Sequence, residues 1–420
     1  MKLHQSFGIV AIGLCLSLSG IGEVNAKPNN FIFTKITDTN GEFSSFFSGA
    51  SINNKGTVAF GANLDAGGQG IYASNGRITK TIADTNSSSG SFSRFTYSTS
   101  DSNRFSFFPD PVFAVTPSIN DRDTVAFVSV DSSNSAVPTP GTIFTGNGNS
   151  EPVPVPLVPD TLFPGPFAAG YPSINNAGTV VYLGINFRNF GILTSDGRLI
   201  AFESDGRAGT VDSPTINDAG TIAYRRQLLG SRFQILSNNA TQNSNIIYEN
   251  IFPFFVGTQQ FGFNSPSINN AGTVSFVTVP EADQVEGFPA GTLNPKKAVV
   301  LKSNGTNTIA VADTSGDFSS FGIMGFPDGN TAIYNVTSIN DRGNVAFLAD
   351  LDTGGEAIFI ENNSVLERTI ATGDSLFGYT VVDLTLSREG LNDRGQVAFI
   401  AKLANNTEVV VRANPKRQLR

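Results

Sequence analysis

Residues 51–60 read SINNKGTVAF, and the same ten-residue phrase returns six more times: SINDRDTVAF from Ser118, SINNAGTVVY from Ser173, TINDAGTIAY from Thr215, SINNAGTVSF from Ser267, SINDRGNVAF from Ser338 and GLNDRGQVAF from Gly390. The first Asn of each copy falls at Asn53, Asn120, Asn175, Asn217, Asn269, Asn340 and Asn392, so the intervals are 67, 55, 42, 52, 71 and 52 residues. A constant phrase with elastic spacers of this length predicts the blades of a β-propeller. A solenoid would keep a tighter period, because each coil stacks on the last.

Inside the phrase each residue type has a mechanical reason. Ile52 and its equivalents end one short strand, and Thr57 to Phe60 open the next with alternating large and small side chains. Between them Asn-x-x-Gly predicts a tight turn. The Asn bonds nearby backbone, and Gly56, Gly178, Gly220, Gly272, Gly343 and Gly395 accept positive φ. The second copy has Asp123 at that place, one of the few residue types that tolerates the left-handed region. Val58 and Phe60 are expected on one sheet face and Ala59 on the other, giving complementary faces for a sheet held between two neighbours.

A second hairpin follows each phrase, as in residues 70–83 (GIYASNGRITKTIA) with its Asn75-Gly76 turn. Each repeat therefore supplies four strands, A to D. The last phrase is followed by only one more strand, residues 407–413 (TEVVVRA), while residues 31–39 (FIFTKITDT) match the D strand at 78–85 (ITKTIADT) without an A strand before them. Pairing the N-terminal strand with the last blade would leave no open edge. The expected fold is an all-β, seven-bladed β-propeller over residues 27–413, with a polar tail at 414–420.

Residues 1–26 read as a secretory signal: Lys2, an apolar run at 7–18 (FGIVAIGLCLSL) and small residues at Val24 and Ala26. A secreted or periplasmic location is expected, and no run is long enough to span a membrane as a helix. The only His and the only Cys, His4 and Cys15, lie in that segment, and there is no Trp. The mature chain then has no disulfide, no thiolate nucleophile, no Ser–His–Asp triad and no Cys/His zinc site. A formal charge of −8 and a pI of about 4.8 give no basic footprint for nucleic acid. A monomer is expected.

The A–B turns are uniformly short, whereas the insertions at 84–116, 131–141, 160–171, 248–265, 280–297 and 313–336 fall on the opposite rim. That rim is the candidate binding face for an extracellular or envelope protein or glycan, since function on rigid frames concentrates in variable loops. Its many Phe residues (Phe43, Phe46, Phe47, Phe92, Phe95, Phe105, Phe107, Phe108, Phe252, Phe254, Phe255, Phe261, Phe263, Phe318, Phe321, Phe326) are read as plugs between blades rather than a ligand surface. The near-repeat of 38–46 (DTNGEFSSF) with 313–321 (DTSGDFSSF) favours that reading. Asp38, Asp84 and Asp313 are read as turn caps, weak Ca²⁺ binding being the alternative. Asp121-Arg122, Asp341-Arg342 and Asp393-Arg394 are read as solvated charges, and no catalytic residue, cofactor or metal is assigned. The leading function is a secreted, non-catalytic binding or scaffolding module. The alternative is a secreted, His-free lyase or hydrolase using acidic, Tyr, Lys or Arg residues near the central channel.

The seven phrases resemble the tandem Asn-x-x-Gly-x-x-Ala-Phe repeat proteins, exported bacterial chains in which this motif recurs. The resemblance covers residues 31–413 and implies secretion and a propeller-like fold, and it implies no activity. Many members carry a C-terminal surface-sorting anchor. The sequence ends at Arg420 without a hydrophobic tail, so free release is the expectation.

Overall fold

A computed structural model describes residues 30–86, 92–96, 115–130, 141–156, 163, 168–186, 189–204, 209–228, 232–239, 244–251, 265–278, 298–325, 331–333 and 337–416. Residues 1–29, the tail beyond 416 and most of the long insertions lie outside the described residues.

Seven antiparallel sheets stand in a ring, one per phrase. Blade 1 runs A to D through Ser51–Ile52, Val58–Leu64, Gln69–Ser74 and Thr79–Asp84. Blade 2 uses Ser118–Ile119, Val125–Val130, Gly141–Gly146 and Val153–Pro154. Blade 3 uses Ala168–Ile174, Val180–Asn186, Asn189–Thr194 and Leu199–Glu203. Blade 4 uses Gly209–Ile216, Ile222–Leu228, Arg232–Asn238 and Ser244–Ile251. Blade 5 uses Ser267–Ile268, Val274–Thr278, Val299–Ser303 and Thr308–Asp313. Blade 6 uses Thr337–Ile339, Val345–Leu351, Glu356–Asn362 and Val365–Ala371. Blade 7 takes Tyr379–Leu391, Val397–Leu403 and Glu408–Pro415 from the end of the chain, and its D strand is Phe31–Asp38. That strand pairs antiparallel from Phe31↔Pro415 to Asp38↔Val409, so the ring closes at the predicted seam.

The alternation in the phrase sorts side chains between neighbouring blades. Val58 and Phe60 of blade 1 pack with Ala398, Ile400 and Val410 of blade 7, while Ala59 and Ile71 turn the other way and pack with Val125 and Phe127 of blade 2. Large residues of one blade thus meet the face of the previous blade that carries its kernel Ala. Phe60, Phe127 and Phe347 also stack on an aromatic partner across the B–C pair, Phe60 on Tyr72. Phe127–Phe144 and Phe347–Phe359 have ring centroids 5.9 and 5.7 Å apart.

The Phe residues that open the links join this core. Phe43 and Phe46, Phe92 and Phe95, and Phe318 and Phe321 each bring two rings onto the kernel Phe of the following blade, with centroids 5.7–6.0 Å apart. Edge-to-face contacts of this kind contribute beyond area burial. The near-repeats are not loops, as their place among the insertions implied. Phe43–Phe46 and Phe318–Ser320 are short strands that pair with the outer ends of the B strands of blades 1 and 6. Likewise Ala168–Tyr171 and Tyr248–Ile251, placed among the insertions from the sequence, belong to strands. Phe105, Phe107, Phe108, Phe252, Phe254, Phe255, Phe261, Phe263 and Phe326 lie outside the described residues.

Candidate functional site

The seven A–B turns converge on the axis of the ring. In each, the kernel Asn accepts backbone N–H groups with Oδ1: Asn53 takes Lys55 N at 3.1 Å and Thr57 N at 3.0 Å, and Asn269 takes Ala271 N at 3.1 Å and Thr273 N at 2.9 Å. The turn is closed by the fourth residue, as in Gly272 N to Asn269 O at 3.0 Å, with Gly272 at φ +77°. Asp123 holds the same place at φ +60°, and its carboxylate accepts Asn53 Nδ2 at 2.8 Å.

The side-chain amide of the kernel Asn has a further partner, which sequence reasoning did not find. Asn53 Nδ2 donates to the carbonyl of Asn120 at 2.9 Å, Asn120 to Asn175 at 3.0 Å, and Asn175 to Asn217 at 3.1 Å. Asn217 donates to Asn269 at 2.9 Å, Asn269 to Asn340 and Asn340 to Asn392 at 3.0 Å, and Asn392 returns to Asn53 at 2.9 Å. This closed belt of buried amide–carbonyl bonds links all seven blades. Asp could hold the turn with the same oxygen but lacks the donor, which is the physical reason for Asn at this place.

A second belt lies one residue on, at Asn54, Asp121, Asn176, Asp218, Asn270, Asp341 and Asp393. The backbone N–H of each donates to the side-chain oxygen of the next at 2.7–2.8 Å, from Asn54 N to Asp121 Oδ1 around to Asp393 N to Asn54 Oδ1. Asp121, Asp341 and Asp393 were expected to be solvated charges. They are acceptors in this belt, because a carboxylate facing a row of free N–H groups bonds them. Burial pushes the Asp393 carboxyl up, aided by the charges of Asp341 and Asp121, and the Asp341 N–H and the Asn54 amide oppose the shift.

The belts rim a cup on the axis, a cavity of about 150 Å³ walled by the kernel Ile residues and floored by Arg388 and Glu389. The floor exists because blade 7 breaks the repeat. Where other phrases begin with Ser or Thr, this one is preceded by Ser387-Arg-Glu and begins with Gly390, and the strand register shifts between Leu386 and Leu391. The bulge reaches across the channel: Ser387 Oγ donates to Ala50 O at 2.5 Å, Arg388 Nη2 to Pro172 O at 3.0 Å, and Ser267 Oγ to Arg388 O at 2.9 Å. Gly49 leaves room for it, since a Cβ there would stand 2.9 Å from Ser387 Cβ.

The guanidinium of Arg388 lies 5.6 Å from the centroid of the Tyr171 ring, and Tyr171 itself is held at φ +54°. Burial pulls Arg388 down, against the charges of Glu389, Tyr171 and Asp212. Burial pushes the Glu389 carboxyl up, against Arg388 and hydrogen bonds from Ser118 and Ser173. In the adjoining wall Arg225 grips Asp212 through two bonds of 2.7 and 2.9 Å, both side chains buried. The signal for this cluster in the sequence is the departure of the seventh phrase from the pattern.

Asp38, Asp84 and Asp313 accept N–H groups two residues on, from Asn40 at 3.1 Å, Asn86 at 2.8 Å and Ser315 at 2.9 Å. Among the described residues no three His, Cys, Asp or Glu side chains are placed to hold a metal ion, and no helix is long and apolar enough to cross a membrane.

Residues 251–412, which run from the end of blade 4 into blade 7, match DUF7453, described as a family of unknown function. No curated protein matches the chain. Among solved structures it is similar to a prolyl endopeptidase at 11% identity and a TM-score of 0.48, over 90% of this chain and 52% of that one. The chain thus spans about half the length of that enzyme. It is also similar to virginiamycin B lyase from Staphylococcus aureus, at 10% identity and a TM-score of 0.44 over 91% and 99% of the two chains. A third likeness is to the polysaccharide lyase Uly1, at 8% identity and a TM-score of 0.47 over 91% and 100%. None of these likenesses extends to activity.

Proposed function

We propose that the chain is an exported, non-catalytic binding module that presents its B–C loops and D–A links to an extracellular or envelope protein or glycan. The observation that carries this reading is the division between the two rims. On one rim every blade ends in the same turn, and two closed belts of hydrogen bonds tie the turns together. The long insertions lie on the other rim, where a rigid frame can display them.

The charged residues of the channel support the same reading, because their bonds are structural ones within and between blades. Arg225 is spent on Asp212, the bulge at Ser387 and Arg388 bonds blade 7 to blades 1, 3 and 5, and the Asp residues of the belt accept backbone N–H groups. The apolar run at 7–18 supports export. The test immobilises the mature chain, residues 27–420, beside a variant in which residues 280–297 are replaced by a short Gly-Ser turn. Native exoproteome and a glycan array are passed over both. The reading expects a ligand retained by the mature chain and lost with the loop. Equal capture by both variants, or depolymerisation of a captured glycan, would contradict it, and the second result would favour a His-free lyase or hydrolase.

A further inference from the structure

We propose that Glu356, Asp383 and Asp350 form a proton-operated latch, which closes the junction of blades 6 and 7 on the loop rim while Glu356 carries a proton and releases it when Glu356 ionises. The latch would regulate the face proposed above to bind a ligand. It is read without any ligand, so its failure and the failure of the binding reading are distinct results.

At three places among the described residues, the first residue of a C strand fastens its blade to the next. In blade 1, Gln69 Oε1 accepts Phe95 N at 2.8 Å, from the link into blade 2. In blade 7, Glu408 Oε2 accepts Phe46 N at 2.9 Å, from the link into blade 1. In blade 6, Glu356 Oε1 accepts Leu384 N at 2.5 Å, from the A strand of blade 7. The same support stands behind each. The hydroxyls of Thr85, Thr39 and Thr372 accept the backbone N–H of Gln69, Glu408 and Glu356 at 2.9–3.0 Å.

Blades 1 and 6 differ in what faces this residue. Gln69 Nε2 donates to Asn63 Oδ1 and Thr96 Oγ1, both at 3.0 Å, so every group there is neutral and bonded. In blade 6, Asp350 takes the place of Asn63 opposite the C strand, and Asp383 is the third partner. Asp350 Oδ2 also accepts Gly322 N at 3.3 Å, and Asp383 stands opposite Lys402 in the A–B ladder of blade 7. Among the described residues none of the three carboxylates is in an ion pair.

A carboxylate has no N–H to offer. The bonds that Gln69 makes with its amide are open to Glu356 only as the protonated acid, which donates to Asp383. Burial pushes the Glu356 carboxyl up to about 7, and the charges of Asp383 and Asp350 add to that, against the Leu384 N–H. The value in the closed junction therefore lies above that of an open, solvated Glu. Closure is most favoured below about pH 4.5, and that preference is lost as pH rises to 7. Ionisation leaves three carboxylates together with no proton between them, and the junction parts at the rim. Beyond it stands the hairpin that opens at Ser375, where Phe377, Tyr379 and Val382 are 36–49% exposed. The latch would control the display of these side chains.

Hydrogen exchange of the full chain, followed by mass spectrometry from pH 5 to pH 8 and corrected for the intrinsic pH dependence of exchange, tests this. Protection of residues 381–386 should fall about fiftyfold across that range, since opening gains about a factor of ten per pH unit between the open and closed pKa values. Protection of residues 92–96, where Gln69 is the acceptor, should not change. Glu356→Gln supplies an amide like that of Gln69 and should hold residues 381–386 at their pH 5 protection throughout. Asp383→Asn lets an ionised Glu356 accept an amide N–H, so its fall should be under about tenfold. If Glu356→Gln does not fold, the wild type and Asp383→Asn decide. A flat profile at 381–386 in the wild type, an equal fall at 92–96, or a fall as large in either variant as in the wild type would overturn the latch.

Discussion

Asn269→Ala separates the two jobs of the kernel Asn. The side chain is 4% exposed and makes three bonds: Oδ1 with Ala271 N and Thr273 N, and Nδ2 with Asn340 O in blade 6. Ala271 N is exposed and finds water, whereas Thr273 N is half-buried and loses its acceptor. Asn340 O keeps the bond from Gly343 N but loses the inter-blade one. At about 1 kcal/mol for the inter-blade bond and 1–2 kcal/mol for the stranded Thr273 N–H, Asn269→Ala should cost about 2–3 kcal/mol. Asn269→Asp keeps the turn acceptor but sets a carboxylate against the Asn340 carbonyl, and should still cost about 2 kcal/mol. The control is Asn304→Ala in a C–D turn. Asn304 accepts Thr306 N and Asn307 N at 3.0 and 2.8 Å in an exposed setting and reaches no other blade, so its loss should cost about 0.5 kcal/mol. Guanidinium unfolding can be followed by tyrosine fluorescence, the chain having no Trp. Wild-type stability in Asn269→Asp would refute the belt as a stabilising device, and equal losses in Asn269→Ala and Asn304→Ala would reduce the kernel Asn to a turn former.

Two other outcomes follow from single sites. Glu356, between Asp350 and Asp383, has its carboxyl pushed up to about 7, chiefly by burial and then by those two charges, against the Leu384 N–H. Because its folded pKa lies above the unfolded value, its contribution is most favourable below about pH 4.5 and is lost as pH rises to 7, at a cost of roughly 2–3 kcal/mol. Melting temperature against pH should therefore fall across that window in the wild type relative to Glu356→Gln, and parallel profiles would refute it. Gly272→Val puts a β-branched residue at φ +77° where a new Cβ meets nothing within 4 Å, so strain alone should cost about 1–3 kcal/mol, and Gly272→Asn should cost far less. Equal melting for the two variants would exclude left-handed backbone as the cause.

The fold was legible because it rests on local signals repeated seven times. The turn residues, the large–small alternation at Val58-Ala59-Phe60 and the kinship of residues 31–39 with 78–85 each act within a few residues, and together they give blade count and closure. The channel was less legible. That Asn rather than Asp is needed at 53 and its equivalents depends on a carbonyl 42 to 71 residues away, or 339 where Asn392 returns to Asn53. That Asp393 is a belt acceptor depends on Asp341 N in another blade. Asp123 shows the same limit. Its tolerance of the left-handed region is readable from the sequence, whereas its carboxylate also holds Asn53 Nδ2 and pairs with Lys55. The departure Ser387-Arg-Glu-Gly390 was visible, but its reach across the channel is a tertiary fact.

The seam is the most direct test of the closed ring. A chain that starts at residue 40 lacks the strand bonded from Phe31 to Asp38 along the final C strand. The edge of Glu408–Pro415 would then carry free N–H and C=O groups beside Val409 and Val411, both fully buried in the intact ring. Light scattering and thermal unfolding of this variant, beside one lacking only residues 417–420, form the measurement. A ring closed by its own N-terminal strand predicts aggregation or a much lower melting temperature for the first variant and little change for the second, in which Glu408–Pro415 keeps its partner strand. A strand-deleted protein that stays monomeric and melts with the wild type would contradict the closure.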